Sequence, residues 1–153
     1  MSDAAQNKKG RPGGIGRSIG ALFAGFVVNV FLSLGTDVGL HVIGLFPALG
    51  QPMGSGLLLI ATAYRTVYGV FSSYLTARLA PDRPMGHVLV GGVVGVVLNI
   101  VGIVVTWNSG LGPHWYPLAF LVLTMPTAWL GGKLRVMQLR ALPSDEKGLQ
   151  FSN

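Results

Sequence analysis

The sequence predicts an all-α fold: an integral membrane four-helix bundle of two antiparallel helical hairpins, with both termini in the cytoplasm. Three observations carry this expectation. The 153-residue chain holds four apolar stretches, each reaching the ~20 residues with which a helix crosses a ~30 Å hydrocarbon core. Only 10% of residues are charged, while 50% are apolar and mean hydropathy is +0.57; a water-soluble domain carries about a quarter charged residues. Ten of the eleven Lys and Arg residues fall on one side when the stretches are threaded back and forth.

Residues 1–17 are polar, glycine-rich and basic (Lys8, Lys9, Arg11, Arg17) and read as a disordered cytoplasmic tail. A transmembrane domain follows over 18–138, with helices expected at about 18–46, 53–79, 85–107 and 114–136. The first contains a single acid, Asp37, and the second carries Arg65 in its interior. Residues 47–52 and 108–113 are uncharged turns, Pro81-Asp82-Arg83-Pro84 is a short polar one, and 139–153 form a polar cytoplasmic tail. The Val-rich third stretch could suit a strand, but lipid excludes open sheets and four strands are too few for a membrane barrel. A basic segment running into an apolar one also describes a signal peptide. This run far exceeds a signal's apolar region and lacks a small-x-small site in the usual place, so it reads as a retained helix. The first two stretches exceed the required length, which implies tilt or helix ends standing above the membrane.

Orientation follows from the basic residues. Four precede the first helix, Arg78 and Arg83 flank the second turn, and Lys133, Arg135, Arg140 and Lys147 follow the fourth stretch. The two other turns have none, so both termini are cytoplasmic. Trp107, Trp115 and Tyr116 mark the outer interface and Trp129 the inner one. A net charge of +6 raises the possibility of nucleic acid, but no groove-reading motif accompanies it and none is expected as a partner. The lipid bilayer is the expected surrounding, with a homo-oligomer or membrane protein partner possible.

Polar residues on the first helix recur every four positions: Asn29, Ser33, Asp37 and His41. That spacing makes a slanting stripe on one face, which should look into the bundle. Asp37 stands nine residues before Phe46, and Arg65 twelve after Met53, a depth difference of only ~5 Å at 1.5 Å per residue. A charge at the membrane centre costs at least ~2.5–3.5 kcal/mol, so such groups pair or face water. A buried Asp37–Arg65 ion pair is therefore expected, with Tyr64 or Tyr68 and Asn99 as hydrogen-bond partners. Thr124 brings the fourth helix into the same layer. The pair either fixes helix register or serves function, with Asp37 or His41 taking up protons or Arg65 binding an anion.

Gly35-x-x-x-Gly39 and Gly91-x-x-x-Gly95, with Gly102 seven residues beyond, fit close helix packing. Tyr74-Leu75-Thr76-Ala77-Arg78-Leu79 and Trp129-Leu130-Gly131-Gly132-Lys133-Leu134 echo each other, which suits either tandem hairpins or shared interface chemistry. The chain has no cysteine. His41, His87 and His114 lack metal-ligand spacing, so neither metal nor cofactor is expected. Nucleophile-elbow, phosphate-loop, dinucleotide and zinc-protease motifs are missing, and no enzyme is expected.

Four segments carry a resemblance: Ser33-Leu34-Gly35-Thr36-Asp37, Ala63-Tyr64-Arg65-Thr66-Val67-Tyr68-Gly69, Tyr74 through Met85, and Gly112-Pro113-His114-Trp115-Tyr116-Pro117-Leu118. Together they resemble a group of small, uncharacterised bacterial four-helix membrane proteins, over most of 25–135. The resemblance implies a bacterial inner membrane and brings no activity. The sequence thus leads to a non-enzymatic membrane scaffold or partner subunit, with a small carrier or proton-linked permease using Asp37, His41 and Arg65 as the alternative.

Overall fold

The computed structural model describes residues 13–48, 50–81, 83–110 and 112–141. These form four helices: α1 (Gly13–Val42), α2 (Ser55–Leu79), α3 (Pro84–Thr106) and α4 (Trp115–Ala141). No strand occurs among the described residues. Two helices are long and apolar enough to cross a membrane: α1 over Ile15–Val42, with mean hydropathy 1.9, and α3, with 2.7. Only these two meet that criterion among the described residues. Hydroxyls, tyrosines and Arg65 dilute α2, and a basic last third dilutes α4.

Three helix ends differ from expectation. Gly13–Arg17 already belong to α1, so the tail assigned to 1–17 is helical from residue 13, and residues 1–12 lie outside the described part. At its far end α1 stops at Val42, short of the expected 46. Gly44 takes a left-handed φ of 74°, its N–H bonds the His41 carbonyl at 3.1 Å, and the Leu45 N–H reaches back to Leu40 at 3.0 Å. This is a Schellman closure, in which a left-handed glycine satisfies the last free carbonyls. Similarly, α4 continues past 136 to Ala141, taking in the first residues of the expected tail; 142–153 lie outside the described part. Basic side chains favour the C-terminal end of a helix, and Arg140 stands in that last turn.

The packing is inside-out. Most buried positions hold small or polar residues, among them Ala61, Ala77, Ala128, Ser72, Thr76 and Thr127, with Phe46, Leu58 and Val88 the larger apolar side chains buried beside them. Most large apolar side chains point outward, and Phe31 and Val42 are 77% and 80% exposed. Small residues at contacts let helix backbones approach closely. The most extensive interface joins α2 to α4, followed by α3–α4 and α1–α2, while α1 and α3 touch only narrowly. At the α2–α4 crossing, a Cβ on Gly131 would lie 2.5 Å from the Val70 carbonyl oxygen and 2.6 Å from the Tyr74 nitrogen. Only glycine permits that approach.

Candidate functional site

A polar cluster joins α1 to α2. Both carboxylate oxygens of Asp37 are engaged: the Tyr64 hydroxyl donates to Oδ1, and Arg65 Nη2 donates to Oδ2. One turn away in the same interface, Thr36 and Tyr68 share a hydrogen bond of 2.9 Å between their hydroxyls. From α4, Phe120 lies under the Arg65 guanidinium at 5.8 Å, and the Tyr116 hydroxyl also interacts with it. The expected ion pair is therefore a contact, but a half-buried one, with side-chain exposures of 31% for Arg65 and 18% for Asp37. A guanidinium over an aromatic face is favoured by the ring quadrupole. Tyr116 and Phe120 had no sequence signal beyond their aromatic character.

The remaining residues of the expected layer separate from this cluster. Asn99 Nδ2 donates to Thr124 Oγ1 and to the Gly95 carbonyl, each at 2.9 Å, forming an α3–α4 link. His41 turns back on its own helix, with Nδ1 2.7 Å from the Asp37 carbonyl and its ring edge-on to Phe46. No hydrogen bond joins it to Arg65. Asn29 and Ser33 look into a cleft rather than at the ion pair. The layer is thus two polar links on either side of a shared space. The histidines stay dispersed, and no group of three or more metal-ligating side chains occurs among the described residues.

That space is a cleft of about 810 Å³ bordered by all four helices. Arg65 and Leu34 stand toward one end, Ile19 and Thr76 toward the other. At the latter end α1 and α3 are bridged by a 2.8 Å hydrogen bond between Ser18 Oγ and His87 Nε2. Leu22 there packs against Gly91, 3.1 Å from where its Cβ would be. Toward the other end α1 leans on α2 and leaves α3. Asn29 Oδ1 is buried without a hydrogen-bond partner.

Of the expected packing glycines, Gly91 meets Leu22 and Gly95 meets Thr124. By contrast, Gly35, Gly39 and Gly102 have no described neighbour within 4 Å of an added Cβ. The close contacts fall instead at Gly25, against Thr76 and Ser72, and at Gly131 and Gly132 on α4. Gly35 and Gly39 thus lie on an open face of α1 rather than at a contact with another described residue.

No protein-family model matches the chain, and neither a curated protein nor a solved structure is significantly similar to it.

Proposed function

We propose that the chain is a multi-pass integral membrane protein of the bacterial inner membrane, crossing it four times with both termini cytoplasmic. In this reading it acts as a non-enzymatic scaffold or partner subunit. The inside-out packing supports the embedding, because apolar side chains that water would drive inward face outward along α1 and α3. The one-sided basic residues support the orientation. The scaffold reading rests on one observation: both oxygens of Asp37 are engaged within the chain. A group so engaged holds α1 against α2. Outward apolar faces on α1 and α3 then remain for partners.

The cleft favours a second reading, a small carrier, because Arg65, Asn99 and Thr124 all border it. His41 is turned away, so a proton route through it gains no support. The readings separate in proteoliposomes under a pH gradient. A scaffold gives no proton flux above protein-free vesicles, whereas a carrier gives flux that Asp37→Asn removes. Embedding is tested independently, since the cysteine-free chain accepts single cysteines without background. An impermeant maleimide should label Gln51→Cys and Ser109→Cys in intact cells, and Pro81→Cys only after permeabilisation. Labelling of Pro81→Cys from outside would refute the topology.

A further inference from the structure

From the chemistry of the cleft we infer that it binds a long-chain amphiphile whose small, neutral head carries hydroxyl groups. The inference rests on the membrane reading, in which the mouth of the cleft meets hydrocarbon. That mouth lies between α1 and α3, and its rims are apolar and open, with Phe23 65%, Leu34 58% and Leu98 50% exposed. An occupant must therefore present apolar surface outward.

Behind the rims the chemistry reverses. Thr66, Ser72 and Thr127 line the cleft, but their hydroxyl protons go to carbonyls of their own helices, at 2.7 to 3.1 Å. Their oxygens keep lone pairs, while Arg65 Nε, on the same lining, is a buried donor without a partner, so the wall both accepts and donates. Asn29 Oδ1 adds an acceptor with no partner, and rotation about the broad χ2 of asparagine can turn it to the cleft. Arg65 closes one end with its charge already matched by Asp37. A carboxylate or phosphate head would compete with that pair. Neutral hydroxyls donate to the free lone pairs and accept from donors such as Arg65 Nε, so they match both kinds of group.

Size and closure distinguish this occupant from a helix of a partner or of a second copy. The volume of 810 Å³ falls within the ~300–1,000 Å³ of small-molecule sites. At 1.5 Å per residue the cleft runs about 16 Å along α2, from Arg65 to Thr76, and about 22 Å along α1, from Leu34 to Ile19, short of the ~30 Å hydrocarbon core. The Ser18–His87 bridge then shuts it. A spanning helix cannot follow a slot closed before it crosses the core.

The test uses the full-length protein in detergent, with glyceryl monooleate as probe, read by thermal unfolding and native mass spectrometry. Methyl oleate has the same chain and ester without hydroxyls, and oleate carries a charge. Monooleate should raise Tm saturably and add one molecule per chain. Methyl oleate and oleate should each bind at least about tenfold more weakly, the loss expected for one or two hydrogen bonds. Asn29→Leu should remain folded and bind monooleate about five- to tenfold more weakly, while Ser33→Phe fills the cleft and abolishes binding. Equal binding of methyl oleate, or unchanged binding by both variants, would overturn the proposal. So would a dimer that Ser33→Phe dissociates, since a second copy would then be the occupant. If nothing binds while cysteine labelling establishes the embedding, the ligand proposal alone fails.

Discussion

The α2–α4 seam and the α1–α2 contact hold their helices by different physics. Along the seam, glycine and small side chains let two backbones nearly touch, with Gly131 against Val70, Ser73 and Tyr74. Its end is tied by Gln138 Oε1, which accepts from the Tyr74 hydroxyl at 2.7 Å and from Arg135 Nη1 at 2.8 Å. α1 is held differently: Gly25 settles on Thr76 and Ser72 at one level, and the Asp37–Arg65–Tyr64 cluster ties it at another. Between α1 and α3 a cleft remains. Continuous close contact makes a rigid seam, whereas two separated attachments leave room beside a helix.

The largest effect should come from the seam. Gly131→Ala places a methyl group against backbone that cannot rotate away, so the helices must part, at a cost of about 3 kcal/mol, the upper range for overpacking. Detergent size-exclusion profile and Tm should both show the loss. Arg65→Gln comes next. It leaves the Asp37 carboxylate without its cation, which costs about 3–5 kcal/mol when buried and about 2 kcal/mol at this half-buried site. Thermal unfolding of the single variant reads it. Tyr68→Phe removes only the bond to Thr36 and should cost about 0.6 kcal/mol, the average for interhelical hydrogen bonds in membranes. Of similar size but opposite sign, Gly35→Ala should stabilise by about 0.5–1 kcal/mol, because the added methyl meets no described atom within 4 Å and alanine favours helix. If Gly35→Ala destabilised as Gly131→Ala does, the contrast between the outward and inward glycines would collapse.

These two regions were unequally legible in the sequence. Charges are rare in an apolar stretch, so Asp37 and Arg65 announced each other, and helix rise alone brought them to similar depth. α2 and α3 were readable to within two residues at both ends, and α4 at its start. The α1 end required weighing Gly44 as a left-handed cap before Pro47, a local signal that apolar content obscured. The seam was opaque, because 23 glycines offer many small-residue spacings and periodicity does not say which face meets a neighbour. Gly131 and Gly132 stood in the recognised echo with Tyr74, yet an echo between two segments does not imply contact between them. His41 shares the four-residue spacing of Asp37 but lies one turn farther along, level with the α1 cap, where its own carbonyls are nearer than Arg65. The cleft was beyond sequence reasoning, since it depends on α1 leaning toward α2 and away from α3.

The central claim is that Asp37 and Arg65 together hold α1 to α2, and a double-mutant cycle measures this directly. Asp37→Asn, Arg65→Gln and their combination are each followed by equilibrium unfolding in detergent. The account predicts that the double variant recovers much of the loss seen in each single variant, with a coupling energy of at least about 1 kcal/mol. Losses that add to within about 0.5 kcal/mol, the behaviour of independent sites, would contradict it.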